Sequence, residues 1–355
     1  MLARRRAQIV GLGLIGGSLG MALRERGWTV TGRDSDPSRS ARAVELGAVD
    51  GVGTDTRADV TFVATPVKAV AEEVRRALAS SKGLVTDVGS VKWAVVDAVG
   101  EEARFVGGHP MAGSEREGVE GSDANLFRGA VWVLTPTERT DGPAFAQIRA
   151  IVSSLGAEAV SMPPEAHDRM VAVVSHVPHL TAATLMNLAD ERATDHRALL
   201  RLAAGGFRDM TRIASGHPAI WPDICEENRE AIVEALDSLL AHLADVRAVV
   251  AGGEREQLTK MLEEAREARL SLPVRAPRPT QLVELRIPVP DRPGAIAEVA
   301  ITASELLVNI YDLEIAHNAE GATGVMHVLV EAARADALRR ALDERGFVSS
   351  MRKLV

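Results

Sequence analysis

The sequence has 355 residues, and its 46% hydrophobic and 25% charged residues are ordinary for a globular protein of about two or three domains. A net charge of −8 excludes the basic face that nucleic-acid binding needs, and 3% aromatic residues are too few for base-stacking platforms. The single cysteine, Cys225, excludes an intrachain disulfide, as is usual in a reducing cytoplasm.

The N-terminus allows two interpretations. Arg4, Arg5 and Arg6 precede an apolar run over 7–23, a pattern similar to a signal peptide or a twin-arginine signal. The glycines of that run, however, have the spacing of a nucleotide-binding fingerprint, and no convincing cleavage site follows. We therefore expect a cytoplasmic protein, and we expect no membrane partner because no run looks long and apolar enough to span a bilayer.

The first part of the chain alternates short apolar runs with helical patterns. A helix is predicted over 18–26. The predicted strands are 8–10, 28–32, 60–64, 84–87, 104–106 and 131–134. Short buried strands separated by helices predict an α/β domain with a parallel, doubly wound Rossmann sheet. We expect it to span residues 1–163, ending near Met162-Pro163-Pro164.

Strand patterns disappear in the middle of the chain, and long helical periodicities replace them. Over 231–250 the apolar residues recur at helical spacing. The pattern predicts an all-helical domain over 164–271 that contributes to the substrate site. Because these helices are apolar enough to need a partner surface, we expect a homodimer.

A third domain is predicted over 280–355, after a segment (271–280) that contains three prolines and is typical of a linker. Apolar and polar residues alternate over 282–289, which predicts a strand. The elements expected after it are a helix over 295–306, strands over 308–315 and 325–330, a helix over 334–344 and a strand near Phe347. This β-α-β-β-α-β order is the ferredoxin-like arrangement.

A glycine-rich loop follows the first predicted strand and opens a helix, the context in which a GxGxxG motif binds the pyrophosphate of a dinucleotide. Asp34 follows the second strand and would accept hydrogen bonds from the ribose hydroxyls, which favours NAD over NADP. Arg33 weakens that preference, since its guanidinium could pair with a 2′-phosphate or stack on adenine. The loop residues are Gly11, Leu12, Gly13, Leu14, Ile15 and Gly16.

Several polar residues further along are candidates for chemistry. His109 lies among small residues that we interpret as a glycine-rich bend (107–115), and an imidazole exchanges protons near neutral pH. His176 and His179 are three residues apart and so share one face of a helix. Pro178 should kink this helix. We expect no metal site, because no acidic or cysteine ligand lies at supporting spacing. Taken singly, a helix histidine is more often a core group, and Arg212 would usually be an ion-pair residue.

Taken together, these motifs resemble prephenate dehydrogenase with a C-terminal ACT domain, over essentially the full chain. No single motif is decisive, but their order and spacing are specific to that family. The segments that carry the resemblance are 11–18 (GLGLIGGS), 64–67 (ATPV), 87–92 (DVGSVK), 107–115 (GGHPMAGSE), 175–179 (SHVPH) and 206–213 (GFRDMTRI), with Trp221 beyond them.

The resemblance implies NAD-dependent oxidative decarboxylation of prephenate to 4-hydroxyphenylpyruvate, a step in tyrosine biosynthesis. It makes His109 the base for the ring hydroxyl, Ser90 the hydroxyl that orients His109, and Arg212 the group that binds a substrate carboxylate. It gives His179 a position near the pyruvyl side chain, and His167 and Glu115 supporting positions. The remaining residues that it implies are Ser114, His176 and Trp221 in the substrate pocket and Thr65 and Pro66 at the cofactor.

An ACT domain typically binds an amino acid, so the resemblance implies feedback inhibition by tyrosine. The implied effector residues are Asp291, Pro293, Gly294, Asn309 and Ile310. The alternative is a dimerisation module without a ligand.

Three other functions remain to be weighed. A β-hydroxyacid dehydrogenase would use a lysine from the helical domain, but no lysine lies between Lys92 and Lys260. Arogenate dehydrogenase has the same fold, although an acidic residue would suit the ammonium of arogenate better than His179 does. A non-catalytic sensor of NAD and amino acids would have no need of Ser90, His109 and Arg212.

Overall fold

The computed structural model describes residues 5–100, 102–114, 116–195, 202–272, 282–290, 292–317 and 323–353. They fall into two compact units, Met1–Asn187 with Ile213–Leu243 and Leu188–Arg212 with Ala244–Val355. The division into three domains at 1–163, 164–271 and 280–355 stays a prediction.

The first unit is built on an eight-stranded sheet. Its strands are β1 (Arg6–Val10), β2 (Thr29–Arg33), β3 (Gly51–Val52), β4 (Val60–Val63), β5 (Leu84–Asp87), β6 (Phe105–Pro110), β7 (Val131–Thr135) and β8 (Glu158–Ser161). They lie in the order β3-β2-β1-β4-β5-β6-β7-β8. The Rossmann-like α/β expectation is confirmed, but the fully parallel sheet is wrong, because β6 and β7 are antiparallel. The described residues that connect these two strands form a 3₁₀ turn, Val119–Gly121, and no crossover helix.

Helices pack against this sheet, and further helices, some of them in the second unit, follow it along the chain. They are α1 (Leu14–Glu25), α2 (Pro37–Glu45), α3 (Val67–Ser80), α4 (Trp93–Val99), α5 (Gly142–Ser154), α6 (Pro164–Val171), α7 (Val177–Asp195), α8 (Gly205–Thr211), α9 (Trp221–Glu227), α10 (Arg229–Gly252) and α11 (Arg255–Leu270). Ile9 on β1 and Leu19 and Leu23 on α1 are fully buried in the main core. This N-terminal segment is therefore part of the folded sheet, which contradicts its alternative interpretation as a cleaved leader.

His109 lies on a strand, which corrects the prediction of a glycine-rich bend. β6 extends to Pro110, and His109 pairs with Val133 of β7. The two glycines before it are needed for close approach and not for a turn. A Cβ on Gly107 would lie 2.4 Å from the Thr135 Oγ1 atom, and one on Gly108 would lie 2.7 Å from the Asp87 carbonyl oxygen.

The helix that follows the first sheet contains a π turn. The turn covers Ala172–His176, between α6 and α7, and Pro178 lies just after it. A π turn is a common site of helix bending, and the kink expected from Pro178 stays a prediction.

The expectation that no stretch could span a membrane is wrong by length and composition alone. Pro164–Arg192 is a helical stretch of 29 residues with a mean hydropathy of 1.2 over its most apolar window. A core helix of a globular protein meets the same criterion, and this stretch carries His167, Asp168 and His176, which are all buried. A single helix of this kind is weak evidence for a membrane span.

The second unit contains a four-stranded antiparallel sheet with two helices. The elements are β9 (Leu282–Pro290), α12 (Ala295–Glu305), β10 (Ile310–His317), β11 (Thr323–Glu331), α13 (Ala332–Glu344) and β12 (Ser350–Lys353). The strands lie in the order β10-β11-β9-β12, and both helices pack their buried faces into one core with β9 and β11. The predicted β-α-β-β-α-β order is confirmed.

The two helices of this sheet end in the same motif with different residues. After α12 the N–H of Val308 donates to the Ala303 carbonyl at 2.8 Å, and Leu307 has a φ of 54°. After α13 the N–H of Phe347 donates to the Leu342 carbonyl at 2.9 Å, and the equivalent position is Gly346, with a φ of 85°. Both are Schellman motifs, in which the left-handed position favours glycine.

We expect Leu307→Gly to stabilise the protein by about 0.5–1 kcal/mol, because the 85% exposed leucine loses little contact while its left-handed strain is relieved. Urea-induced unfolding followed by circular dichroism measures the effect. Gly346→Leu is the matched control and should destabilise. A loss of stability in Leu307→Gly would contradict this account of the motif.

Candidate active site

The glycine loop after β1 has the shape of a dinucleotide cradle. Gly11 has a φ of 91°, and a Cβ there would lie 2.4 Å from the Ala64 carbonyl oxygen. A Cβ on Gly16 would lie 1.9 Å from the Gly11 carbonyl oxygen, so this glycine lets α1 pack against the loop. A Cβ on Gly13 would meet open space at the N-terminus of α1. The residues present therefore fit a pyrophosphate on the first turn of this helix, where Leu14 and Ile15 lie.

Asp34 and Arg33 lie at the end of β2, beside this loop. The Asp34 Oδ2 atom accepts from the N–H of Leu12 at 2.8 Å, which ties the carboxylate to the loop. Its Oδ1 atom accepts from the N–H of Asp36 at 3.0 Å. Arg33 is paired with the Glu73 carboxylate.

Thr65 lies after β4 and against the glycine loop. Its Oγ1 atom is buried and has no hydrogen-bond partner among the described residues. The Thr65 N–H group is 3.0 Å from where a Cβ on Gly11 would lie. A buried hydroxyl without a partner beside a cofactor cradle is the kind of group that a bound molecule satisfies.

His109 is joined to a second histidine and to a carboxylate. Its Nδ1 atom is 2.8 Å from Nε2 of His167, and Nδ1 of His167 is 2.7 Å from Oδ1 of Asp168. The Asp168 carboxylate also accepts from the backbone N–H groups of Lys92 and Trp93, each at 2.8 Å. His167 is fully buried and Asp168 is 5% exposed.

A buried ion pair fixes the strand on the other side of His109. The Lys92 ammonium pairs with the Asp87 carboxylate, and both side chains are fully buried. Lys92 donates to the Gly108 carbonyl at 2.9 Å, and the Gly108 N–H donates to Asp87 at 3.1 Å. The residue before His109 is thus bound through both of its backbone polar groups.

Three rings predicted for the substrate pocket lie together. His179 stacks on Trp221 with ring centroids 3.7 Å apart, and His176 meets the same indole edge-on at 6.1 Å. The Nδ1 atom of His176 is 3.2 Å from the Asn228 amide nitrogen, which donates to it. His176 therefore carries its proton on Nε2.

Burial controls the charge of these histidines. It lowers the pKa of His109 well below its ordinary value, and the electrostatic influence of His167, Lys92 and His176 lowers it further. Burial lowers the pKa of His176 to about 4 and also lowers the pKa of His179. His109 is therefore a neutral imidazole at neutral pH, as a proton acceptor must be.

Other predicted site residues are less closely joined. The partner of His109 in the described structure is His167 and not Ser90, which lies in the segment after β5. Ser114 is exposed and accepts from the N–H of Arg116 at 3.2 Å. Arg212 begins a 3₁₀ turn, Arg212–Ser215, and is the last residue of the segment Leu188–Arg212 that belongs to the second unit. The roles expected of these three residues stay predictions.

The expected effector residues belong to the second unit. Gly294 precedes α12 with a φ of 91°, Pro293 lies before it, and Asn309 comes directly before β10. Ile310 is the first residue of β10 and pairs with Val330. Asp291 and Glu115 lie outside the described residues.

Sequence reasoning missed the chain of contacts behind His109. His167 was expected only to support the site, and Asp168, Asn228 and Lys92 were given no role. The signal that the sequence offered was a His-Asp pair within a segment that has the pattern of an amphipathic helix. Its contact with His109 joins residues 58 positions apart, so periodicity could not reveal it.

Two family models match the chain. The nucleotide-binding domain of prephenate dehydrogenase matches residues 19–161, and the dimerization domain of prephenate dehydrogenase matches residues 163–264.

Individual relatives agree with these matches. The chain is 33% identical to a prephenate dehydrogenase of Bacillus subtilis over 90% of both chains. A crystal structure of prephenate dehydrogenase from Aquifex aeolicus, in complex with hydroxyphenyl propionate and NAD+, is 33% identical with a TM-score of 0.71, over 77% of this chain and 99% of that one. A Synechocystis arogenate dehydrogenase is 32% identical with a TM-score of 0.66, over 74% of this chain and 98% of that one.

Because the lowered pKa keeps His109 neutral, acidification should protonate this imidazole only well below its ordinary pKa of 6.5. We expect kcat/KM to hold as the pH falls from about 8 through 6.5, with any histidine-dependent decline at lower pH. Initial rates between about pH 5 and 8 measure it. NAD+ binding at the same pH values is the control, and a decline centred at or above pH 6.5 in the rate alone would contradict the assignment.

Proposed function

This chain is an NAD-dependent enzyme of the prephenate dehydrogenase family, and we propose that it converts prephenate to 4-hydroxyphenylpyruvate. One observation carries the proposal. The predicted residues follow, or lie at, the carboxyl ends of neighbouring parallel strands: the glycine loop after β1, Thr65 after β4, Ser90 after β5 and His109 near the end of β6. Open α/β sheets bind their ligands at this edge.

The reaction needs a proton acceptor and a binding site for two carboxylates. NAD+, when bound, supplies the acceptor for the hydride that leaves the ring carbon bearing the hydroxyl. His109 accepts the proton of that hydroxyl as the carbon–oxygen double bond forms. The bond to the ring carboxylate then breaks, carbon dioxide leaves, and its electron pair makes the ring aromatic. The phenol oxygen regains a proton, so the overall reaction releases none.

The residue types expected at the substrate suit this chemistry. The planar, permanently charged guanidinium of Arg212 suits a carboxylate better than an ammonium group would. His179, stacked on Trp221, offers one ring N–H to the pyruvyl side chain, and His176 carries an N–H on Nε2. Ser114 and Ser90 would add hydroxyls, and we assign to Ser90 the orientation of the ring hydroxyl and of His109.

Arogenate is the second candidate substrate, since a similar solved structure is an arogenate dehydrogenase. Arogenate carries an ammonium group where prephenate has a ketone. The rings stacked at His179 and Trp221 are uncharged donors and apolar faces, and burial lowers the pKa of His179. They favour the ketone of prephenate over a cation.

The cofactor preference follows from the two residues after β2. The Arg33 guanidinium is engaged by the Glu73 carboxylate, which leaves it less able to hold a 2′-phosphate. The Asp34 carboxylate would repel a 2′-phosphate and accept from ribose hydroxyls. Both features favour NAD over NADP.

We extend the proposal to regulation and assembly. The C-terminal sheet unit is assigned as an ACT domain that binds tyrosine near Asp291, Gly294 and Asn309 and lowers the activity, which requires a coupling free energy between the two sites. The exposed Leu240 and Leu243 of α10 support a homodimer through the helical region, and tyrosine biosynthesis suits a cytoplasmic enzyme.

The purified protein should form NADH with prephenate faster than with arogenate, and added tyrosine should slow the reaction. Absorbance of NADH, measured with each substrate and with and without tyrosine, checks both expectations. The variant Asn309→Ala should keep the uninhibited rate and lose the tyrosine effect.

Three outcomes have distinct meanings. A higher kcat/KM with arogenate would replace the substrate, and a higher kcat/KM with NADP+ would overturn the interpretation of Asp34. Unchanged tyrosine inhibition in a chain that lacks residues 280–355 would remove the regulatory role while leaving the catalytic proposal intact.

The two charged roles predict different kinetic defects. His109→Asn should lower kcat about 10²- to 10⁴-fold with little change in KM, because proton transfer is lost only in the transition state. Arg212→Gln should mainly raise KM for prephenate, by about 10- to 100-fold, because the carboxylate contact acts in both states. Steady-state kinetics at saturating NAD+ separate the two parameters.

Arg266→Gln, at an exposed position of α11, is the matched arginine control and should change neither parameter. If both His109→Asn and Arg212→Gln lowered kcat and raised KM by the same factors, the assigned roles would be contradicted.

A further inference from the structure

His167 and Asp168 have no part in the proposed chemistry, yet they are the buried groups in direct line with His109. The Nδ1 atom of His109 meets Nε2 of His167 at 2.8 Å, with the two rings nearly perpendicular at 75°. The other nitrogen of His167 meets Asp168 at 2.7 Å. Each contact is made by a ring nitrogen that would otherwise be a polar atom without a partner in the core.

Asp168 fixes the direction of the two hydrogen bonds that link it through His167 to His109. Its carboxylate accepts from the backbone N–H groups of Lys92 and Trp93, and backbone nitrogens can only donate. A carboxylate held in this way has only acceptor capacity for His167, so Nδ1 of His167 must carry the proton. Nε2 of a neutral His167 then has a lone pair, and it accepts from Nδ1–H of His109.

We propose that His167 and Asp168 act as a positioning pair, which holds His109 as the tautomer with Nδ1 protonated and Nε2 available to accept the proton of the substrate hydroxyl. Nothing in the reaction itself selects this tautomer. With the proton on Nε2 instead, His109 would present a donor to the hydroxyl and could not act as its base. The inference rests on the proposed role of His109 as the base.

The same contacts also support His109 after it has accepted the proton and become positively charged. When His109 takes the hydroxyl proton on Nε2, a positive charge forms in a buried site that already contains the Lys92 ammonium and His176. Those groups face His109 from the start of α4 and from the π turn, and Asp87 on β5 neutralises Lys92. The Asp168 carboxylate is the acidic group that these contacts join to His109, through the ring of His167.

The backbone contributes to the same end. Because Lys92 and Asp87 hold both polar groups of Gly108, the main chain at His109 cannot shift to suit another partner. The side chain retains only its own rotations, and the contact with His167 fixes those. The ring is thus held from its backbone and from its far nitrogen, which is what a base needs before the substrate arrives.

Two substitutions of His167 separate positioning from general support of the fold. His167→Leu fills much of the space and removes the acceptor. His167→Gln supplies an amide oxygen near the position of Nε2, which can still accept from His109. His242→Gln, at an exposed histidine of α10, is the matched control.

We expect His167→Leu to lower kcat about 10²-fold with KM for prephenate and NAD+ binding close to those of the native enzyme, and His167→Gln to recover most of the loss. His242→Gln should behave as the native enzyme. Urea unfolding and NAD+ binding show whether each variant is folded.

The tautomer itself is read without activity. Two-bond ¹H–¹⁵N spectra of the native holoenzyme with ¹⁵N-labelled histidine, assigned with His109→Asn, should show His109 protonated on Nδ1. His167→Gln should keep this pattern and His167→Leu should lose it. A native His109 protonated on Nε2 would overturn the inference outright, as would native kcat in a folded His167→Leu variant.

If His167→Leu does not fold, the native spectrum and the His167→Gln variant still decide, since the inference requires the same tautomer in both. A native enzyme that oxidises neither prephenate nor arogenate would instead remove the proposed function, whatever the spectra show.

Discussion

The structure around His109 depends on the placement of one carboxylate, that of Asp168. It accepts from two successive backbone N–H groups at the start of α4 and from the His167 ring, while the Asp168 carbonyl accepts from Asn228. These contacts join α4, α6 and the segment before α10 at a single buried residue. Hydrogen bonds to a charged acceptor in a buried setting are strong, and they are costly to leave unmade.

Two different kinds of constraint shape the sheet edge at the carboxyl ends of β1, β4, β5 and β6. At the cofactor end the constraint is steric: Gly11 and Gly16 lack side chains because backbone atoms occupy the space. At the catalytic end it is electrostatic, with the buried pair of Asp87 and Lys92 fixing the strand. An alanine at Gly11 or Gly16 therefore displaces backbone, whereas the loss of Asp87 or Lys92 leaves a charge unpaired in the core.

Much of this architecture could be predicted from the sequence, because local patterns of apolar residues and glycines indicate it. The buried runs at 60–63 and 84–87 are strands, the glycine loop precedes a helix, and the C-terminal element order was predicted correctly. The strand at His109 was not, because Gly107, Gly108 and Pro110 are residues that usually end a strand. Here the crowding by Thr135 and Asp87 makes glycine the residue that fits. The contact of His109 with His167 depends on tertiary packing, which no local pattern encodes. The roles of the individual residues at the site remain predictions, whereas the family to which the chain belongs is established by the comparisons.

The π turn at Ala172–His176 has a consequence for how related chains are compared. A π turn is an α-helix with one residue inserted, and a single residue advances an α-helix by about 100°. The wider turn takes up the extra residue without this rotation, so that α7 keeps the direction in which it presents His179. A relative with one residue fewer in this segment and an uninterrupted α-helix would align well on either side of the gap. Its histidine would still face the same direction, so that a one-residue gap here would mark the loss of the π turn and not a rotation of the helix that follows it.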